Sequence, residues 1–320
     1  MTNSQAALGS GFDARSTTDG VLTGIDLEGQ FAIVTGGHSG LGLQTTRALI
    51  DAGADVLVAA RDIAAANRVL GEHDRMRVEQ LDLADQDSIK IFAGTVRSSD
   101  RPVDILINSA GVMACPETRV GPGWEAQFGV NHLGHFALVN RLWPQLRRGS
   151  ARVVSVSSSG HHASAMRWHD VQFDTGYDRF LAYGQSKTAN ALFAVHLDSL
   201  GRRDGVSAFS LHPGMILTNL VRHLPRAEMQ DNGWIDENGT VIDPRFKTVE
   251  QGAATQVWAA TSPMLTDQGG VYCEDCDIAA PAPASGEQVG VKPWASDVQE
   301  ARRLWALSAE LTGIDAFGSS

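Results

Sequence analysis

From residue 31 to residue 214, short β-prone runs alternate with segments of helical periodicity. The runs are FAIVT (31–35), ADVLVAA (54–60), MRVEQLDL (76–83), VDILINSAG (103–111), ARVVSVSS (151–158) and GVSAFSLHPG (205–214). Between them, helices are predicted at 41–53, 63–73, 85–98, 123–148 and 180–203, with Asp62 placed to cap the second. Most of the runs are apolar at consecutive positions, which a strand tolerates only when both of its faces are covered. The pattern predicts an α/β chain with a doubly wound parallel sheet, helices on both faces and one domain. In such a sheet the functional site lies at the carboxyl ends of the strands.

The first twenty residues, rich in Ser, Thr, Gly and Asn, are expected to be a loosely ordered extension. Residues 21–313 form the predicted domain and 314–320 a tail. The rhythm breaks at 215–250, which is mixed and polar, with Pro225, Pro244 and turn signals at Asn232-Gly233 and Asn238-Gly239. A long excursion after a strand's carboxyl end is expected to form a substrate lid. Leu220, Leu224, Trp234 and Ile235 within it suggest a fairly apolar substrate. Helix returns at 249–261, a terminal strand is expected at 269–279, and a last helix at 296–313 ends on Gly313.

A net charge of −11 argues against nucleic-acid or anionic-membrane partners, which need basic patches. No run of 18 apolar residues occurs, and the N-terminus lacks a basic region followed by an apolar one, so neither a span nor a secretion signal is expected. The expected location is the cytoplasm. Cys273 and Cys276 have CxxC spacing, but no second pair supplies the other ligands of a zinc site, and no metal is expected.

The first strand runs into TGGHSGLG (35–42), in which Gly36, Gly40 and Gly42 have GxxxGxG spacing. Glycine there lets backbone approach a pyrophosphate at a helix N-terminus, where amide N–H groups are free. The turn therefore predicts a dinucleotide cofactor. NAD-preferring folds place an acid near the end of the second strand to hold the ribose hydroxyls. This chain has Ala59-Ala60-Arg61-Asp62. The planar guanidinium of Arg61 suits a 2′-phosphate, so NADP(H) is expected in preference to NAD(H). Asp82, after the third strand, is placed either to accept from the adenine amino group or to cap the next helix.

Tyr183 and Lys187, in YGQSK, stand four apart on a predicted helix and share a face. A free phenol is too weak an acid for neutral pH, and an adjacent ammonium stabilises its anion. Taken with TGGHSGLG, DL (82–83), NSAG (108–111), VN (130–131), VSS (156–158) and PG with Thr218 (213–218), the set resembles the short-chain dehydrogenase/reductase family. The resemblance covers residues 21–313 and implies a Rossmann-type sheet, a nicotinamide cofactor and a dimer or tetramer.

The resemblance also implies roles. Tyr183 is the general acid or base, and Lys187 depresses its pKa and binds the nicotinamide ribose. Ser158 hydrogen-bonds the substrate oxygen; strand alternation alone does not choose among Ser157, Ser158 and Ser159. Asn131 holds a water that links Lys187 to solvent. Gly36, His38, Ser39, Gly40, Leu41 and Gly42 cradle the phosphates, and Asp82 and Leu83 border the adenine. Asn108, Ala110 and Gly111 support the adenosine side, with Ser109 replacing the family's second Asn. Pro213, Gly214, Ile216 and Thr218 hold the carboxamide.

VNHLGHF (130–136), VSSSGHH (156–162) and ARRLWALSAELTG (301–313) are most similar to the retinol-dehydrogenase and WW-domain-oxidoreductase branch, though no WW domain or membrane anchor is read here. The expected activity is reversible hydride transfer between NADP(H) and a carbonyl or alcohol substrate, a fairly apolar ketone, aldehyde or alcohol. The alternatives are C=C reduction, as in the similar protochlorophyllide reductases, and a non-catalytic NADP(H) sensor or scaffold.

Overall fold

The computed structural model describes residues 5–318; the expected extension's first four residues and the tail's last two lie outside the described residues. Eight strands form the main sheet: β1 (Phe31–Thr35), β2 (Asp55–Ala60), β3 (Met76–Gln80), β4 (Ile105–Asn108), β5 (Arg152–Val156), β6 (Ser207–His212), β7 (Tyr272–Glu274) and β8 (Asp277–Ile278). Their order is β8-β7-β6-β5-β4-β1-β2-β3, parallel except for β8. The chain winds outward from β1 through β2 to β3, then returns to β4 on the other side of β1. That reversal opens a crevice at the carboxyl ends of β1 and β4.

Helices cover both faces: α1 (Gly40–Asp51), α2 (Ile63–Leu70), α3 (Gln86–Ser98), α4 (Gly134–Arg148), α5 (Arg179–Gly201), α6 (Arg226–Asp231), α7 (Val249–Thr261) and α8 (Val298–Thr312). Successive strand residues enter opposite cores because side chains alternate across a sheet. Ala32, Val34, Val56 and Val58 pack with Leu49 and Trp258, whereas Ile33, Leu57 and Leu106 pack with Phe92, Phe136 and Phe193. Asp62 caps α2 as expected, accepting from the Ala65 amide at 2.9 Å.

Two elements differ from the sequence expectation. The helix expected over 123–148 begins late, because Gly121 and Gly123 at φ +53° and +112° turn a small hairpin between Arg119–Val120 and Trp124–Glu125. A short helical turn and a π-helical turn, Gly129–Leu133, then lead into α4. The single strand expected at 269–279 is the hairpin β7–β8. Asp275 and Cys276, at φ +51° and +60°, form its two-residue turn, the conformation whose twist matches the flanking strands.

The segment before β1, expected to be loosely ordered, is anchored from Gln5 onward. Gln5 Nε2 donates to the Tyr272 and Ala279 carbonyls, and the Asp277 carboxylate accepts from the amides of Leu8, Gly9 and Ser10. Beyond α8, the Ala316 amide donates to Asn140 Oδ1 at 2.9 Å, and Phe317 packs on Trp143. No helix of the described residues is long and apolar enough to cross a membrane.

Candidate active site

A cavity of about 620 Å³ opens at the β1/β4 crevice. One end is the phosphate turn. Gly36 takes φ +67°, and a Cβ on Gly42 would lie 2.4 Å from the Gly36 carbonyl oxygen, so only glycine lets α1 start this close to the strand. Ser39 precedes α1 without a side-chain cap, and the first turn carries no acid, so its free amide donors suit an anion. His38 is half-buried, and its Nδ1 has no partner among the described residues. Burial, and then Arg61, lower its pKa. These unfilled donors and backbone clearances fit the phosphates of a dinucleotide.

His38, Ser39, Gly40, Leu41, Arg61, Asp82, Leu83, Ala110, Gly111, Pro213, Gly214, Ile216 and Thr218 also line the cavity, as do Gly36 and Gly42. Arg61 is exposed at its rim. Asp62 lines it too, but its carboxylate is engaged as the α2 cap. Asp82 does not cap α3; its Oδ1 accepts from the Ala84 amide at 2.9 Å, and Asp85 caps the helix. The Ser109 and Ala110 amides donate to Thr35 Oγ1, each at 3.0 Å, which fixes the β4 turn against β1.

Two expected site residues lie behind the wall. Asn108 is buried, with Nδ2 donating to Ser155 Oγ at 3.3 Å. Asn131, on the π-helical turn, is fully buried. Its Oδ1 accepts from the Val112 amide at 2.8 Å, and its Nδ2 donates to the Val112 carbonyl and to Ser186 Oγ, both at 2.9 Å. Both amide hydrogens are therefore used by protein, and Asn131 clamps the segment after Gly111 to α5. A Cβ on Gly111 would meet Asn131 Oδ1 at 3.1 Å and Lys187 Nζ at 3.8 Å.

At the far end of the cavity, Tyr183 and Lys187 project from α5. Lys187 Nζ donates to the Val156 carbonyl at 3.0 Å and lies 5.5 Å from the Tyr183 ring centre. Burial lowers the Lys187 pKa to about 8. Burial also pushes the Tyr183 phenol up to about 12, with the Ser158 hydroxyl pulling the other way, so in the protein alone the phenol is not depressed below its free value as its pairing with Lys187 implied. These directions favour a neutral phenol beside an ammonium at neutral pH.

The three serines divide their work. Ser157 Oγ donates to the Lys187 carbonyl at 2.8 Å and so ties β5 to α5. The Ser159 amide donates to His212 Nδ1 at 3.0 Å. Ser158 Oγ accepts from the Gly160 amide at 3.0 Å, which leaves its own hydrogen to be donated toward the Tyr183 oxygen or a group bound in the cavity. Gly160, which no sequence signal singled out, carries the Tyr183 ring; a Cβ there would lie 2.8 Å from Cε1.

Phe180, Leu220, Val221, Trp234 and Phe246 form the outer wall. Of the apolar residues expected in the 215–250 segment, Trp234 and Leu220 line the cavity, whereas Leu224 and Ile235 are buried and do not. Phe180, Phe246 and Gln288 were not anticipated. Cys273 and Cys276 are buried free thiols; burial raises both pKa values, that of Cys276 to about 11.

A family model described as short chain dehydrogenase matches residues 30–229. A protein of Streptomyces antibioticus named "Probable oxidoreductase" is 43% identical over 292 residues, covering 88% of this chain and 97% of that one. Human "Retinol dehydrogenase 12" is 36% identical over 299 residues, covering 91% and 89%. The solved structure of an uncharacterized protein from Mycobacterium paratuberculosis aligns with TM-score 0.68 and 31% identity over 91% of this chain and 96% of that one. An NADPH-bound carbonyl reductase from chicken fatty liver, 19% identical with TM-score 0.59 over 78% and 97%, shares the fold.

Proposed function

Because the chain belongs to the short-chain dehydrogenase/reductase family, and is an oxidoreductase acting on CH–OH and C=O groups, we propose that it uses NADP(H) in preference to NAD(H) on a fairly apolar ketone, aldehyde or alcohol. The nicotinamide, when bound, supplies or accepts the hydride. In the reductive direction Tyr183 gives its phenolic proton to the carbonyl oxygen, and Ser158 donates a hydrogen bond to the same atom. Lys187 holds a positive charge beside the phenol, which favours the phenolate left behind. In the oxidative direction the phenolate takes the alcohol proton. Apolar walls from Phe180, Leu220, Trp234 and Phe246 exclude water and favour an apolar substrate body. Retinol, in the human relative's name, is an alcohol of that kind.

The observation that carries the cofactor preference is Arg61, exposed at the rim where an NAD-preferring fold would offer a free acid, while Asp62 is occupied as a helix cap. A charge-assisted bond to a 2′-phosphate contributes about 1.5–3 kcal/mol, or roughly ten- to hundredfold in affinity. Arg61→Ala should raise the dissociation constant for NADPH by that factor and leave NADH within about twofold. Titration of each cofactor by quenching of protein fluorescence measures both. Equal losses for the two cofactors would refute the 2′-phosphate role.

A further inference from the structure

Behind Ser158 lies a polar group that the chemistry above does not use: the buried His161, His212 and Tyr272 with the partly buried His162, closed off by residues 290–294. The Lys292 backbone amide donates to His161 Nε2 at 3.1 Å. A backbone N–H can only donate, so Nε2 is the acceptor nitrogen and the neutral ring carries its hydrogen on Nδ1. His161 Nδ1 then donates to the Ser158 carbonyl at 2.6 Å. The Tyr272 hydroxyl donates to the same oxygen at 3.2 Å, and its ring centre lies 5.0 Å from that of His161. The His161 backbone amide donates to the same carbonyl at 3.1 Å, so the Ser158 oxygen accepts from three donors, of which the His161 ring makes the shortest bond. The other end of that peptide is held as well, since the Ser159 amide donates to His212 Nδ1 at 3.0 Å.

We infer that His161 is a positioning residue: its Nδ1–H tautomer, set by the Lys292 amide, holds the Ser158–Ser159 peptide plane and thereby aims the Ser158 hydroxyl into the substrate cavity. The same ring joins the serine to the chain that follows Gln288, a residue of the cavity wall. The His161 carbonyl accepts from Trp294 Nε1 at 3.2 Å, His162 Nε2 meets the Gly290 carbonyl at 3.1 Å, and the Gly290 amide donates to Glu274 Oε2 at 2.7 Å. Of these ties to the 290–294 segment, the one from Lys292 runs through the His161 ring to the Ser158 carbonyl. The inference rests on Ser158 being the hydroxyl that meets the substrate oxygen.

Two substitutions divide the functions of the ring. His161→Asn places an amide nitrogen where Nδ1 stood and keeps the donor to Ser158; His161→Gln places an amide oxygen where Nε2 stood and keeps only the acceptor for Lys292. With NADPH and whichever aldehyde the wild type reduces fastest in an aryl and alkyl panel, kcat should fall about tenfold or more in His161→Gln. It should stay within about threefold in His161→Asn, and KM and NADPH affinity should change by less than about twofold in both. Equal losses in the two variants, or none in His161→Gln, would overturn the inference. A long-range 1H–15N spectrum of histidine-labelled protein at pH 7 tests the tautomer without turnover. An Nδ1–H ring for His161 is required, and an Nε2–H ring overturns the inference. Ser158→Ala separates this from the underlying reading: full activity there removes Ser158 from catalysis and leaves the tautomer standing.

Discussion

Gly160→Ala tests the arrangement of the proton donor at one methyl group. Gly160 sits in the 3-10 turn Ser159–His162, and its φ is not in the left-handed region, so alanine meets no backbone strain. The obstacle is the Tyr183 ring: the new Cβ would lie 2.8 Å from Cε1 and 2.9 Å from Cδ1. Carbon atoms pack at about 3.5–4.0 Å, so a gap of roughly 0.7–1.2 Å must be opened. The turn does not rise freely, because the His161 ring is held by Ser158 on one nitrogen and Lys292 on the other. The ring therefore moves, away from Ser158 and the substrate oxygen. A misplacement near 1 Å costs about a hundredfold in rate, so kcat should fall between about tenfold and a hundredfold. Overpacking should cost about 1–3 kcal/mol of stability. Steady-state reduction, NADPH titration and thermal unfolding on one preparation give the three readouts. Cofactor affinity should hold within about twofold, since the phosphate turn is untouched. Wild-type kcat at an unchanged melting temperature would show that the ring is not held where the structure puts it.

Tyr183→Phe should retain NADPH binding and lose about 10²–10⁴ in kcat, the usual contribution of a positioned acid; an active variant removes Tyr183 from proton transfer. Four buried histidines make stability depend on pH. Burial lowers the pKa of His132 and His212 to about 3 and of His135 and His161 to about 4. Unfolded histidine titrates near 6.5, so the unfolded chain binds more protons as pH falls; stability is full above about 6.5 and declines toward about 4. Each ring loses about 2 kcal/mol by pH 5, while Glu125, Asp198 and Glu274, whose pKa values burial raises, oppose part of it. Urea unfolding at pH 7, 6 and 5 should show a net loss of several kcal/mol, and constant stability would contradict neutral buried rings.

The cofactor half of the molecule was legible because each part obeys a local rule. β1, β2, β4, β5 and β6 are buried on both faces, so their runs need no partner to be recognised. The glycines of 36–42 are required by clearances within the turn itself, and Asp62 caps the helix that begins beside it. The failures are also local. Nothing in GGVYCEDCDIA announces a turn with two consecutive positive φ values: Asp275 tolerates that conformation, but Cys276 beside it is neither glycine, asparagine nor aspartate. Gly121 lies just before the helix expected over 123–148 and Gly123 at its first position, and their positive φ values make a hairpin there instead. Three adjacent serines share one composition, and only partners 30 and 53 residues away distinguish the roles of Ser157 and Ser159.

The substrate half follows a different logic. The turn signals at Asn232-Gly233 and Asn238-Gly239 do mark turns, with the glycines at φ +68° and +88°. What they leave open is where the segment lies, and that is set by cations reaching across the chain. Arg15 donates to the Pro244 carbonyl at 2.7 Å, 229 residues away. Arg179, at the start of the helix that carries Tyr183, pairs with Glu228 of α6 at 2.5 Å. Lys247 pairs with Asp275 in the β7–β8 turn at 2.5 Å, its chain packed where a Cβ on Gly214 would be. The Lys247 side chain is only 7% exposed, so its tie to Asp275 is less screened by water than a surface pair would be. These ties join the outer wall to an N-terminal arm, the catalytic helix and a sheet-edge hairpin, none of which belongs to the dinucleotide pattern. The same cofactor frame can therefore carry a different wall whenever those distant residues change. Reaction class is accordingly encoded in contiguous motifs, whereas the wall that meets the substrate is positioned through long-range partners.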